Sequence, residues 1–223
     1  MLQEKVSYTD DPEEPESRRV VRIKTYQTPA GSVFLQSWCS PSFIESLKVD
    51  EGLRAFARLP EREHQLLLSI ARQPESRVTL AYDASGTIVG QVSLAPLDHW
   101  WKGIAKSYEI AVEVSTGWRN LGLAHQLLSF ALEFESVEEY LIVGLGLSWH
   151  WDYQGLGMSR FQYREMVARL FAAHGFAEYL TSESNIRMDP ANILVARLGS
   201  RMDEKSMSYF FQRLLWSETL PGL

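Results

Sequence analysis

The feature that most constrains the fold is a change of hydrophobic period within residues 108–133. The first part alternates between two sets of residues, as on the opposite faces of a strand. The apolar set is Ile110, Val112 and Val114, and the other set is Glu109, Ala111 and Glu113. The second part has apolar residues at the helical spacing of three and four positions. They are Ala124, Leu127, Leu128, Ala131 and Leu132. The sequence therefore predicts a strand that leads through a short loop into a helix.

The loop between this strand and this helix is suited to holding a phosphate group. It consists of Arg119, Asn120, Leu121, Gly122, Leu123 and Ala124. Small residues let an anion approach the backbone, and the unpaired N–H groups of the first helical turn point towards it. The chain has no G-x-x-x-x-G-K-[ST] and no G-x-G-x-x-G pattern, which excludes the common nucleotide-binding loops. In the alternative interpretation, Gly122 and Ala124 only allow close packing of the helix on the strand.

The segment Arg119-x-x-Gly122-x-Ala124 resembles the acetyl-CoA motif of the GNAT acetyltransferases, [QR]-x-x-G-x-[GA]. The resemblance implies that the loop backbone holds the pyrophosphate of acetyl-CoA. It also implies that the end of the preceding strand, at Val112 and Val114, hydrogen-bonds the pantetheine arm. The implied fold is α/β, with a central mixed, mostly antiparallel sheet flanked by helices and a parallel strand pair that splays apart.

Composition favours a cytoplasmic protein that neither crosses a membrane nor binds nucleic acid. The single cysteine, Cys39, excludes an intramolecular disulfide and is typical of a reducing compartment. No apolar run approaches the roughly 18 residues of a membrane span, and the first residues lack a signal-peptide core. The net charge of −6 argues against a nucleic-acid surface. No His/Cys/Asp set has zinc spacing, so we expect no metal site.

Hydrophobic periodicity and turn signals predict a mixed α/β order around the central unit. Further strands are predicted over residues 19–26, 32–36, 77–82, 87–94, 140–145, 177–181 and 193–198. Further helices are predicted over residues 41–47, 60–71, 158–173 and 203–216. Residues 1–17 are acidic and nearly without apolar side chains, so we expect a disordered leader before one domain that spans residues 18–223. The last predicted helix either closes this domain or binds a partner.

A second set of motifs resembles a narrower family, the acetoin utilization protein acetyltransferases. The motifs are Trp149-His150-Trp151-Asp152, Tyr163-Arg164, Asp189-Pro190-Ala191-Asn192 and Ala196-Arg197-Leu198-Gly199, together with Glu113-Val114 and Arg119. The resemblance covers most of the chain after the leader. It implies an enzyme that transfers acetyl from acetyl-CoA to a lysine of acetyl-CoA synthetase and so inhibits the synthetase. The sequence does not indicate an oligomeric state.

Acetylation of lysine requires a base, because an ammonium with a reference pKa of about 10.4 must lose a proton near neutral pH. In GNAT enzymes the base is often a glutamate on the strand before the acetyl-CoA loop. Glu109 and Glu113 stand there on one face, about 13 Å apart at the usual strand rise. Glu113 is preferred because Glu113-Val114 matches the family pattern. The alternative is that Glu113 lies at a solvated edge or pairs with an arginine.

The acid that protonates the departing CoA thiolate does not follow from the resemblance. In this superfamily it is usually a tyrosine four residues before the Gly-Phe that follows the last conventional helix. Counting back from Gly175-Phe176, that position holds Phe171. Tyr163, Tyr153 and water are the remaining candidates.

Two aromatic runs each have two interpretations. Residues 149–152 either line the channel of the acceptor lysine, with His150 relaying a proton, or fill the core while His150 and Asp152 satisfy each other. Residues 98–101 either contact a protein substrate or cover the edge of a core. Two other functions also stay open: an acetyltransferase of small-molecule amines, and a non-catalytic acyl-CoA-binding regulator, which Phe171 favours.

Overall fold

The computed structural model describes residues 5–8, 20–97 and 99–215. The strands are β1 (Lys5–Tyr8), β2 (Val20–Thr28), β3 (Gly31–Gln36), β4 (Lys48–Val49), β5 (Arg77–Asp83), β6 (Thr87–Pro96), β7 (Ser107–Val114), β8 (Leu141–Gly146), β9 (Ala177–Tyr179) and β10 (Ile193–Leu198). The helices are α1 (Pro41–Glu45), α2 (Pro60–Ala71), α3 (Leu123–Ala131), α4 (Arg160–Ala172), α5 (Ser184–Arg187) and α6 (Glu204–Leu214). No helix in these ranges is long and apolar enough to span a bilayer.

The strands form one mixed sheet in the order β1-β2-β3-β5-β6-β7-β8-β10-β9, and the two-residue β4 pairs with β6. β2, β3 and β5 pair antiparallel in succession, as do β8, β10 and β9. β7 and β8 are parallel, and their register joins residues 107–109 to residues 141–143. A parallel pair needs a long crossover connection, which contains α3 here. The predicted mixed α/β fold class is confirmed.

Contacts divide the chain into two compact units. The first contains the described residues up to 95 and residues 111–133. In its core, α1 and α2 pack on one face of β5 and β6. The buried residues of this core are Cys39, Ile44, Leu47, Leu53, Leu67, Leu68, Val78, Leu80 and Ile88. Cys39 is thus a small buried side chain, as the sequence predicts, and burial raises the pKa of its thiol well above the ordinary value.

The second unit contains the described residues of 96–110 and 134–215. Its core buries Trp101, Ile104, Leu141, Val143, Leu194, Ala196, Met202, Phe210 and Leu214. Trp101 packs on Phe210 of α6 with 5.4 Å between ring centroids. Trp100 donates from Nε1 to the carbonyl oxygen of Arg213 at 3.0 Å. These two tryptophans therefore cover the edge of a core, and α6 buries Phe210 and Leu214 in the same unit while its Phe211 stays exposed.

Several element boundaries differ from the prediction for identifiable reasons. α1 ends at Glu45 rather than residue 47, because the next residues leave the helix to pair with β6 as β4. α4 begins at Arg160, where Ser159 and Gln162 form a reciprocal capping box that sets the helix start. Residues 5–8 pair with β2, which differs from the predicted disordered leader over those four residues. The other residues of the predicted leader lie outside the described residues. That residues 18–223 form a single domain stays a prediction.

Candidate active site

The loop between β7 and α3 leaves the first helical turn open to an anion. Asn120 and Gly122 both have left-handed backbone conformations, with φ of +61° and +75°. Gly122 is the N-cap of α3 and has no side chain that could accept the N–H groups of the first turn. Those groups and the positive end of the helix dipole are the elements that bind phosphates at helix N-termini.

Two side chains hold this loop in place. Tyr26 donates from its hydroxyl to the carbonyl oxygen of Leu121 at 2.9 Å. Arg119 donates from Nε to the carbonyl oxygen of Val114 at 3.3 Å. A Cβ added to Gly122 would lie 3.0 Å from the Tyr26 hydroxyl, in a conformation that disfavours other residues. The loop therefore requires glycine at this position, as expected for a backbone that a pyrophosphate approaches closely.

Glu113 lies on β7, two residues before the loop's Ser115, with only 6% of its side chain exposed. Its Oε1 accepts the backbone N–H groups of Arg54 at 2.7 Å and Ala55 at 2.8 Å. The carboxyl group is therefore held in one orientation by the segment that precedes α2. The interpretation that places Glu113 at a solvated edge is wrong.

A second glutamate holds the same segment in the same way. Glu63, in the first turn of α2, is 3% exposed and accepts through Oε1 from the N–H groups of Phe56 at 2.7 Å and Ala57 at 2.5 Å. Four consecutive backbone donors, from residue 54 to residue 57, thus belong to two buried carboxyl groups. The sequence shows Glu63 only as a negative charge in the first turn of a helix, where the helix dipole favours it. It does not predict that Glu63 accepts hydrogen bonds from residues 56 and 57.

The electrostatics of this arrangement raise the pKa of Glu113 to near neutrality. Burial raises the pKa of Glu113, and the neighbouring Glu63 raises it further, from the ordinary 4.5 to about 7. The N–H groups of Arg54 and Ala55, and the charge of Arg119, oppose this rise. A carboxyl group with a pKa near 7 can both take up and release a proton at physiological pH, which suits a general base.

The other predicted base, Glu109, has a different environment. It lies four residues earlier on β7 and its side chain is exposed. By its contacts it belongs to the second unit, whereas Glu113 and the loop after β7 belong to the first. Burial therefore distinguishes the two glutamates and favours Glu113.

The aromatic run at residues 149–152 lies in the second unit. Trp149 is 41% exposed, so the interpretation in which both tryptophans fill the core is wrong for this one. Its ring lies 6.0 Å from that of His150. Trp151 stacks on Tyr163 of α4, with ring centroids 5.2 Å apart and planes 22° apart. Two of the segments singled out in the sequence, around 151 and 163, are thus brought together.

Ser148 joins the aromatic run to residues 189–192. Its backbone N–H donates to Oδ1 of Asn192 at 2.7 Å, and its hydroxyl donates to Oδ2 of Asp189 at 3.0 Å. Arg160, at the start of α4, also donates to Oδ2 of Asp189. Asp189 therefore ties together three segments that are far apart in the sequence. Nothing in the residue spacing predicts this pairing.

Phe171 occupies the position where the family pattern has its acid. Its ring is buried against Phe176, at 5.0 Å and nearly perpendicular. A hydrocarbon side chain cannot donate a proton, so the thiolate needs another donor.

Among the described residues, no group of three or more His, Cys, Asp or Glu side chains is placed to hold a metal ion.

Comparisons with known proteins identify the family of this chain. Residues 34–136 match the Acetyltransferase (GNAT) family. The chain is 32% identical over 197 residues to the acetoin utilization protein AcuA of Bacillus subtilis (strain 168), which covers 84% of this chain and 93% of that protein. The chain belongs to the GNAT acetyltransferase family. Membership makes it an acetyl-CoA-dependent N-acetyltransferase, because the family uses acetyl-CoA as co-substrate.

Two solved structures extend the comparison. This acetyltransferase matches the crystal structure of an acetoin utilization protein from Exiguobacterium sibiricum 255-15, with 28% identity and a TM-score of 0.83. That match covers 87% of this chain and 94% of the other. A phosphinothricin acetyltransferase from Sinorhizobium meliloti, solved in complex with AcCoA, matches with 15% identity and a TM-score of 0.51, over 75% of this chain and 89% of the other. The second match shows the fold alone.

Proposed function

We propose that this acetyltransferase transfers the acetyl group of acetyl-CoA to a lysine of acetyl-CoA synthetase and thereby inhibits the synthetase. Similarity to acetoin utilization proteins over most of the chain supports the family resemblance that implies this substrate. The observation that carries the chemistry is Glu113, a buried carboxyl group with a pKa of about 7 on the strand that leads into the acetyl-CoA loop. We place the reaction in the cytoplasm.

The loop after β7 binds acetyl-CoA in this proposal. The first-turn N–H groups of α3 donate hydrogen bonds to the pyrophosphate oxygens, and Gly122 leaves room for the pyrophosphate. The end of β7, at Val112 and Val114, hydrogen-bonds the pantetheine arm. These roles explain why an N-terminal helical turn is left without a side-chain cap at this point.

Glu113 acts as the general base. Its carboxylate takes a proton from the lysine ammonium, and the neutral amine then attacks the thioester carbonyl carbon. The carbon–sulfur bond breaks, the attacking nitrogen releases its second proton as the amide forms, and the CoA thiolate leaves and takes up a proton. The group that gives this proton to the thiolate stays a prediction from the sequence, and the candidates are Tyr163, Tyr153 and water. A proton relay through His150 also stays a prediction.

The pH dependence follows from the state of Glu113. The base must be ionised before it can take a proton, and its pKa is about 7. Activity should therefore rise with pH through about 7 and then level off. An exposed glutamate would be ionised throughout this range and would give no such step.

The test is incubation of the purified protein with purified acetyl-CoA synthetase and acetyl-CoA, with mass spectrometry of the synthetase lysines and an assay of its activity. We expect one modified lysine and a matching loss of synthetase activity. Acetyl-CoA binding without any modified lysine would contradict the proposal. That result would favour the non-catalytic regulator, for which the buried Phe171 is the supporting observation. A panel of polyamines and other small amines tests the remaining alternative.

A further inference from the structure

Gln91 carries a buried amide oxygen that no described residue satisfies. The residue lies on β6 with 4% of its side chain exposed. Among the residues that the structure describes, no N–H or O–H group donates to its Oε1. Burying an acceptor without a donor destabilises the folded state, so such a group in a core calls for an explanation.

The strand register places Gln91 directly opposite Glu113. Val89, near the start of β6, accepts the N–H of Ser115, just after the end of β7, at 2.9 Å. The two strands are joined only by residues 97–106, too short a connection for a parallel pair, so they run antiparallel. Gln91 lies two residues after Val89 on β6, and Glu113, on β7, lies two residues before Ser115. In an antiparallel pair these two residues are therefore opposite each other.

Both side chains lie on the face of the sheet that α1 and α2 cover. Gln91 pairs across the sheet with Leu80 of β5, which is buried in the core with residues of both helices. The carboxyl group of Glu113 reaches the segment just before α2. Directly opposite residues on one face have Cβ atoms about 4.5–5.5 Å apart. One small polar group can therefore contact both the amide oxygen and the carboxyl group.

We propose that Gln91 Oε1 accepts a hydrogen bond from the acceptor amine, which Gln91 and Glu113 hold between them. The inference rests on the proposed function, in which Glu113 is the base. An ammonium has three N–H donors and no acceptor, so it satisfies an unpaired carbonyl oxygen well. A water molecule takes this place before the acceptor binds.

The chemistry favours an amide over a second carboxylate opposite the base. A second negative charge would stabilise the ammonium and hold the proton that must leave. The neutral amide accepts one N–H before and after the proton passes to Glu113. It thereby orients the amine so that its lone pair is free to attack the thioester carbon.

The test compares Gln91→Met, which has nearly the same length and no carbonyl oxygen, with the wild type. With purified acetyl-CoA synthetase as acceptor, we expect kcat/KM for the acceptor to fall about tenfold or more, the effect of one lost hydrogen bond to a charged group. KM for acetyl-CoA should stay unchanged, and the melting temperature should not fall. Ser76→Ala is the matched control, since Ser76 Oγ is also buried without a donor or acceptor among the described residues. The Ser76→Ala variant should change neither kcat/KM for the acceptor nor KM for acetyl-CoA.

The outcomes separate this inference from the proposed function. If the wild type and Gln91→Met label the synthetase equally fast, the inference about Gln91 is wrong and the proposed function still stands. If Gln91→Met does not fold, Gln91→Asn withdraws the amide by one methylene and should show the same loss. If the wild type labels nothing, the proposed function fails, and the inference, which rests on it, fails as well. A high-resolution crystal structure is a second test of the inference. A water bonded to both Gln91 Oε1 and Glu113 would support it, and a protein donor on that oxygen would refute it.

Discussion

The buried carboxyl group of Glu113 should make the protein less stable as the pH rises towards neutrality. Its pKa is about 7 in the folded protein against an ordinary 4.5. Between these two values the folded state binds more protons than the unfolded state, so the free energy of unfolding falls as the pH increases. The difference of about 2.5 between the pKa values corresponds to about 3 kcal/mol of stability, which is fully present below pH 4.5 and is lost as the pH rises above 7.

The variant Glu113→Gln isolates this contribution. Its amide oxygen can still accept the N–H groups of Arg54 and Ala55, and the side chain carries no charge. Measured by urea unfolding from pH 4.5 to pH 8, the free energy of unfolding of the variant should rise relative to the wild type by about 3 kcal/mol across the series. Glu61→Gln is the control, because Glu61 is an exposed carboxylate in the same first turn as Glu63.

A difference between Glu113→Gln and the wild type that stays constant with pH would refute the reasoning. It would mean that Glu113 titrates in the folded protein as an exposed carboxylate does. The same result would remove the physical basis for Glu113 as a base near neutral pH. The Glu61→Gln control removes an exposed carboxylate from the same helix turn and so reports the effect of the Glu-to-Gln change alone.

The remaining predictions concern the acetyl-CoA loop and the second unit. Gly122→Ala and Gly157→Ala both place alanine at a left-handed φ and should each cost about 1–2 kcal/mol in urea unfolding. Only Gly122→Ala, whose Cβ meets the Tyr26 hydroxyl, should also weaken acetyl-CoA binding in calorimetry; equal binding by both would contradict the loop assignment. Asp189→Ala should cost about 1–3 kcal/mol, because the Ser148 hydroxyl loses its acceptor, and a loss below 0.5 kcal/mol would show that this contact contributes little.

The part of the site that local sequence pattern governs was predictable. The change of period between β7 and α3 locates the loop that we propose to bind acetyl-CoA, because strand alternation and helical spacing are both local properties. The pattern also singles out Gly122, as a residue that lets a phosphate approach the backbone or the helix pack closely, although it does not predict the left-handed φ of +75°. The alternation along β7 also places Glu113 and Glu109 on one face, although it does not show which of the two is buried.

The part of the site that long-range packing creates was not predictable. Glu63 and Glu113 are 50 positions apart, and their convergence on residues 54–57 depends on how α2 packs against the sheet. The opposition of Gln91 and Glu113 depends on the register of two strands, which a single sequence does not specify. The link from Ser148 to Asp189 is of the same kind.

The central claim is tested most directly by the transfer of labelled acetyl from acetyl-CoA to purified acetyl-CoA synthetase, measured with the wild type and with Glu113→Gln at pH 8. We predict label on one lysine of the synthetase with the wild type and a rate at least 100-fold lower with Glu113→Gln, as for loss of a general base. Glu61→Gln should transfer label at the wild-type rate. Equal rates for the wild type and Glu113→Gln would contradict the role of Glu113, and no label with the wild type would contradict the protein substrate.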